Sequence, residues 1–395
     1  MAWTIGANDV ANAMGTSVGS GALTLRRAVI VAAIFELLGA FLVGGSVTET
    51  IGARLVRINT FVESPVIVAA GMTSCLIAAS LWLHIATYLG WPVSTTHAIV
   101  GAAVGFGVWI QGTDGVQWGV LAQIVASWIL SPLLGAVLGY YCFRLIRGRV
   151  LTVRDPGEAV LRIAPWTGFF IFALLAVAVV YGGLGPLSLD LSGGLVFAIA
   201  VAAGLAGAFG TTFVLRIYAR RRESRSGLDR AERLFAVLQV VTACFVAFAH
   251  GSNDVANAVG PMAAVFAVVQ GGIGTTITVP NNLLMIGAFG VVLGLSTYGF
   301  RVMETIGKQI TELTPSRGFA AELAAASTIT LASKLGLPVS TTHTIVGAVV
   351  GVALARSLGA LNLRVIRGVV ASWVLTVPFT AVLAAILVQL VAWIV

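Results

Sequence analysis

Charge is what this sequence has least of. Only 10% of its 395 residues are Asp, Glu, Lys or Arg, while 58% are hydrophobic. A domain folded in water has no way to bury that much apolar surface, because its interior grows only as fast as its volume. Cysteine is scarce as well: Cys75, Cys142 and Cys244 form an odd, scattered set inside apolar segments. That excludes a disulfide framework and a cysteine metal site, and leaves three packing residues. No HExxH metal-binding helix occurs, and no cleavable signal peptide is expected at the start.

Long apolar runs are what the sequence has instead. The clearest are Ala28 to Val47, Val116 to Phe143, Trp166 to Leu184, Leu195 to Leu215, Phe235 to Ala249, Leu283 to Phe300 and Val369 to Val395. Several approach or exceed roughly 20 residues, the length a helix needs to cross the hydrocarbon layer. They are continuous rather than alternating, which argues against a membrane β-barrel. The expected fold is an all-α, polytopic membrane protein of about 11–12 spans embedded in a lipid bilayer. The net charge of +8 would suggest nucleic acid in a soluble chain. Here the basic residues cluster between the apolar runs, so they anchor cytoplasmic loops and no nucleic-acid partner is expected.

An internal repeat organises the chain. Gly6 to Gly15 reads GANDVANAMG and Gly251 to Gly260 reads GSNDVANAVG, eight of ten positions agreeing at an offset of 245. Pro92 to Gly101 reads PVSTTHAIVG and Pro338 to Gly347 reads PVSTTHTIVG, nine of ten agreeing at an offset of 246. A shorter echo pairs Val125-Ala-Ser-Trp128 with Val370-Ala-Ser-Trp373. Three matches in one order at nearly the same offset indicate duplication. The expected organisation is a first repeat over 1–143, two linking spans with cytoplasmic loops over 144–233, and a second repeat over 234–395. In the middle, Arg144 to Arg162 reads as a charged loop, and Arg216 to Arg233, with seven arginines and three acids, as a solvated linker. Placing the arginine-rich segments on one side makes the two halves inverted; Arg54 and Arg57 count against that scheme.

The repeated motifs carry the chemistry. Asn8, Asp9 and Asn12 recur as Asn253, Asp254 and Asn257. A carboxylate with two amides is costly in an apolar span unless paired or binding something, and all offer oxygen ligands to a hard cation. The small residues around them permit either close packing or a break in the helix that frees carbonyls. The bland alternative is polar glue between helices. In the second motif, Gly90-Trp91-Pro92 and Gly336-Leu337-Pro338 read as helix stops. Ser94, Thr95 and Thr96, like Ser340, Thr341 and Thr342, read as N-caps of a new helix. Each motif is thus the tip of a re-entrant hairpin. Two helix N-termini and six hydroxyls brought together by inversion suit a small tetrahedral oxyanion. Otherwise the run merely caps a helix. Gly101, Gly105, Gly347 and Gly351 give GxxxG packing signals.

His97 and His343 sit in the tips, where they either position an anion, relay a proton or hold the turn through a backbone carbonyl. Glu322 is either a coupling ligand or a hairpin anchor. His250, His84, Glu36 and Lys334 carry no assignment.

These residues resemble the PiT inorganic phosphate transporters, whose signatures are a GxNDxANxxG-type motif in each half and a PVSTTH-type motif. The match lies at Gly6 to Gly15, Gly251 to Gly260, Pro92 to His97 and Pro338 to His343, and covers both repeats. The resemblance implies phosphate uptake by symport, with sodium or protons as coupling ions. It implies tips that bind phosphate, and sodium near Asp9, Asp254 and their asparagines. No cofactor beyond co-transported sodium is expected. A homodimer is a further option, and in a bacterium or archaeon the location would be the inner membrane. One departure is that only Met1 to Ile5 precede the first motif, so the opening half-helix reads as truncated. The alternatives are a sulfate or other oxyanion transporter of the same fold, an anion channel, and an intramembrane enzyme using Asp9, Asp254, His97 and His343. The absence of any sizeable soluble domain stands against the enzyme.

Overall fold

The structure, a computed structural model, describes residues 1–45, 48, 55–56, 65–183, 191–221, 227–270 and 279–394. Arg54 and Arg57, and the ends of three apolar runs at Val47, Leu184 and Val395, lie outside the described residues. Thirteen α-helices are present among the described residues: α1 (Ala2–Gly19), α2 (Leu25–Val43), α3 (Pro65–Tyr88), α4 (Thr95–Gln111), α5 (Trp118–Ile146), α6 (Pro156–Gly183), α7 (Gly193–Arg221), α8 (Gly227–Val269), α9 (Asn281–Leu295), α10 (Phe300–Glu304), α11 (Pro315–Lys334), α12 (Thr341–Arg356) and α13 (Leu363–Ile394). Six of these (α3, α5, α6, α7, α8 and α13) are long and apolar enough to cross a membrane. The segment Asn281–Leu295 and its continuation Phe300–Gln309 form a further broken span, bent by 69°. Large side chains such as Phe197, Phe209 and Val374 point outward, as lipid-facing residues do.

One open alternative is decided and one expectation is corrected. The helix does not break at either Asn-Asp motif: α1 and α8 run unbroken through them. The small residues serve close packing instead, and the breaks fall at the hairpin tips and after Leu295. The charged loop expected over Arg144 to Arg162 is mostly helical. A π-turn over Arg147–Leu151 continues α5. Then α6 starts at Pro156, where Asp155 Oδ1 accepts the Glu158 N–H at 3.0 Å. A carboxylate capping the first turn, followed by an amphipathic stretch, keeps arginines compatible with helix.

The halves are inverted, and contacts at the element ends establish it. Helix α11 starts beside α8, with the Ser316 N–H donating to Glu232 Oε2 at 2.9 Å. The end of α12 meets the end of α5, where Arg147 donates to the Ala355 carbonyl at 3.1 Å. Both ends of the second hairpin therefore lie on the face that bears the arginine-rich connection, called here the linker face. Helix α5 has 29 residues, about 43 Å at 1.5 Å per residue, so its start lies on the opposite face. The first hairpin has its ends there, since α4 runs directly into α5. The halves also exchange partners: α5 packs on α12 as α13 packs on α4, and α2 packs on α8 as α9 packs on α1.

The glycine pairs after each tip make this exchange feasible. A Cβ at Gly351 would sit 2.0 Å from the Ala136 carbonyl oxygen, and one at Gly105 2.1 Å from that of Ala381. Gly351→Ala is expected to destabilise the protein by at least about 1–3 kcal/mol, the usual cost of overpacking, because the obstacle is backbone. Thermal unfolding of the detergent-solubilised protein checks this.

Candidate functional site

Each hairpin tip is built as its sequence dictates. Gly90 and Gly336 close α3 and α11 with φ of +73° and +64°, the left-handed cap that glycine adopts without a Cβ clash. The Trp91 N–H returns to the Ala86 carbonyl at 2.9 Å and the Leu337 N–H to the Ala332 carbonyl at 3.1 Å. Ser94 Oγ then accepts the His97 N–H, and Ser340 Oγ the His343 N–H, each at 3.1 Å. Both serines are thus N-caps, with their hydroxyl protons left to donate.

The tips meet. Thr96 Oγ1 donates to the Val339 carbonyl at 3.2 Å, and Thr342 Oγ1 to the Val93 carbonyl at 3.0 Å. The asparagines cross from one half to the other. Asn12 Nδ2 donates to Thr342 Oγ1 at 2.8 Å and lies 3.4 Å from Thr341 Oγ1. Asn257 Nδ2 donates to Thr95 and Thr96 Oγ1 at 3.1 and 3.3 Å. Asn8 and Asn253 turn instead to the hairpin of their own half. Asn8 Nδ2 donates to Thr87 Oγ1 at 2.9 Å, and the Asn253 amide lies 3.1 Å from Ser333 Oγ. All twelve motif residues named from the sequence are buried, and eight of them, Asp9, Asn12, Thr95, Thr96, Asp254, Asn257, Thr341 and Thr342, bond to one another across the halves or within them.

Negative charge accumulates there. Asp9 accepts from Asn12 at 2.8 Å, and Asp254 Oδ2 from Thr341 at 2.7 Å. His250 joins the two: its Nε2 lies 3.0 Å from Asp254 Oδ2 and 3.6 Å from Asp9 Oδ2, and its Nδ1 lies 3.1 Å from Glu36 Oε1. All four side chains are buried. Three carboxylates against one imidazole is a set that burial makes costly without cations. Ligand atoms of Asp9, His250 and Asp254 fall within 4.8 Å of one another. Asn8 Oδ1, Asn12 Oδ1, Asn257 Oδ1 and Asp9 Oδ2 are buried acceptors with no hydrogen-bond donor among the described residues. Carboxylate and amide oxygens of this kind are the donor set a hard cation takes.

Glu322 stands apart from this cluster and is fully bonded. It accepts from Thr16 at 2.7 Å, Ser17 at 2.6 Å, Gln239 at 3.0 Å and Thr242 at 2.6 Å, tying α11 to α1 and α8. Gly15 to Gly19 spells GxSxG, yet it lies inside α1 with Ser17 bound to that carboxylate, not on a strand-to-helix elbow. His343 Nδ1 lies 3.4 Å from the Trp128 carbonyl. The His97 and His343 rings are 4.3 Å apart, edge to face, and take no part in the threonine cluster. His84 meets the Tyr298 hydroxyl at 2.5 Å, on an exposed contact.

Sequence reasoning left Glu36 and His250 unassigned and passed over Thr87 and Ser333. The last pair was findable, because these residues sit 246 apart, the offset of the tips. Nothing in the sequence linked Glu36 to His250.

Inverted repeats that meet at two hairpin tips, with helix starts and buried polar side chains gathered beside them, are an arrangement that secondary transporters use. The chain belongs to the phosphate transporter family, whose sequence model matches residues 5–384. It is 44% identical over 415 residues to inorganic phosphate transporter 2-1, chloroplastic, of Arabidopsis thaliana, covering 98% of this chain and 69% of that one. A solved structure, the sodium-dependent phosphate transporter, superposes with a TM-score of 0.94 at 40% identity, covering 100% of this chain and 97% of its own. Membership of a transporter family sets aside the intramembrane enzyme.

Proposed function

We propose that this protein carries inorganic phosphate across the membrane together with sodium, by alternating access around the contact between the two hairpin tips. The crossed bonding carries this reading: the second asparagine of each cation-type motif, Asn12 and Asn257, touches the threonines of the opposite half. Phosphate is held by the hydroxyls of Ser94, Thr95, Thr96, Ser340, Thr341 and Thr342 and by the N–H groups that open α4 and α12. Sodium takes the oxygens of Asn8, Asp9, Asn12 and of Asn253, Asp254, Asn257; Asn8, Asp9, Asn12 and Asn257 each carry a buried oxygen with no hydrogen-bond donor among the described residues.

Coupling follows from electrostatics. Without sodium, the buried carboxylates repel phosphate at close range in low dielectric. Without phosphate, the hydroxyls and helix ends lack their anion. Each ion thus raises the affinity for the other, and that reciprocity is symport. His97 and His343 shape the tips by ring packing, and Glu322 fastens the second hairpin. Protons in place of sodium are a second reading, favoured by one observation: His250 lies 3.0 Å from Asp254 and 3.1 Å from Glu36.

Reconstituted uptake of labelled phosphate tests both. Accumulation is expected under an inward sodium gradient at equal pH, with no competition from excess sulfate. Uptake that follows a pH gradient without sodium would replace sodium by protons. Suppression by sulfate would widen the anion.

A further inference from the structure

The third echo of the repeat, Val125 to Trp128 against Val370 to Trp373, plays no part in the cluster of threonines and asparagines. Its tryptophans flank the histidine pair. The Trp128 ring lies 3.8 Å from that of His97, and the Trp373 ring 3.6 Å from that of His343. A column of four rings, Trp128, His97, His343 and Trp373, therefore crosses the axis relating the halves.

Ring packing is alike on the two sides, but hydrogen bonding is not. Trp373 Nε1 donates to the Pro92 carbonyl, in the first tip, at 3.0 Å. By the repeat, Trp128 Nε1 should donate to the Pro338 carbonyl in the second tip. Trp128 is buried, with 8% of its surface exposed, and its Nε1 has no acceptor among the described residues. A buried N–H without a partner is a cost that a native structure carries for a reason.

Position gives the reason. The bond from Trp373 is one of several that fasten the first tip from the second half; on the side away from the threonines, Arg301 donates to the Tyr88 carbonyl at 2.6 Å and Thr305 to that of Gly90 at 2.9 Å. Behind the tip lies a cavity of about 350 Å³ lined by Trp91, Pro92, Arg301, Gln309, Val369 and Ser372. It borders the linker face, where the Asn362 N–H donates to the Ile310 carbonyl at 3.0 Å. The first tip is thus the wall between this cavity and the threonine cluster.

We propose that Trp373 and Trp128 are alternating latches. In the conformation seen here Trp373 fastens the first tip and the indole N–H of Trp128 is released. In the inverted conformation Trp128 donates to the Pro338 carbonyl and Trp373 lets go. Two repeats with matching tip motifs offer the same two arrangements, so the bond missing on one side is the bond the other conformation gains. Both tryptophans act as positioning residues, through the tips and not on the ions. The inference rests on the reading of the tips as the substrate gates.

The test uses Phe substitutions, which keep an aromatic ring, though a smaller one, on the histidine and remove the N–H donor; the loss of ring area is the same at both positions, while the lost bond is not. Gln309→Cys, on the exposed rim of the cavity, reports this conformation through its rate of reaction with an impermeant thiol reagent added from the linker face. Trp373→Phe is expected to slow labelling by about fivefold and Trp128→Phe to speed it, the shift that one net hydrogen bond supports. The double variant, having lost one bond in each conformation, returns to the parental rate. Shifts of both single variants in one direction, or no shift in either, overturn the proposal. If Trp373→Phe fails to insert, faster labelling in Trp128→Phe still decides it. Labelling requires neither phosphate nor sodium, so this result stands apart from the uptake experiment, whose failure would remove the phosphate reading alone.

Discussion

Asp254→Asn is expected to abolish sodium-driven phosphate uptake while leaving the protein inserted and folded. The substitution is isosteric, so the Thr341 hydroxyl, 2.7 Å from Oδ2, keeps an oxygen to donate to. What disappears is the charge. Asp254 is the carboxylate nearest His250, at 3.0 Å, and one of the group that would hold sodium. A loss of at least about 100-fold in uptake is expected, because removing one partner from a buried charged set costs about 3–5 kcal/mol. Initial uptake rates in proteoliposomes, normalised to inserted protein, give the answer. Rates like those of the parent would refute the cation assignment.

Thr342→Ala is the second substitution with a large expected effect. Its hydroxyl is the central stitch of the cluster, accepting from Asn12 at 2.8 Å and donating to the Val93 carbonyl at 3.0 Å. Alanine leaves an amide N–H and a carbonyl without partners, about 1–3 kcal/mol each, and removes a phosphate donor. Uptake is expected to fall at least about tenfold. Thr342→Ser, which restores the hydroxyl, should recover most of it. The counterpart Thr96→Ala should cost less, since its bonds to Asn257 and Val339, 3.3 and 3.2 Å, are longer. A serine variant as inactive as the alanine one would point to packing of the threonine methyl instead of donation.

The tips were legible in the sequence because every signal in them is local. Glycine and proline stop a helix, and serine starts the next, within seven residues whose bonds close on themselves. The contact between tips was inferred from the duplication, which fixes that whatever one half does the other does upside down. The charged cluster was not legible. Glu36 lies on α2 and His250 on α8, and only the packing of those helices brings Nδ1 to 3.1 Å from the carboxylate. The choice between a break and close packing at the Asn-Asp motifs stayed open in the sequence for a related reason. Glycine and alanine permit a bend and permit close contact equally well. Gly251, whose Cβ would sit 2.2 Å from the Glu36 carbonyl oxygen, is used for contact.

By itself the sequence determined a helical membrane protein, its duplication, the hairpin tips and the polar residue types gathered beside them. Those follow from hydrophobic run length, cap chemistry and the high cost of polar groups in lipid, all properties of short stretches of chain. Tertiary structure alone decided which carboxylates share a histidine, that Glu322 is bonded on all sides, and that one tryptophan holds its tip while its twin does not. Such facts depend on the angles and separations at which helices from two halves cross, and a chain read residue by residue carries no record of them.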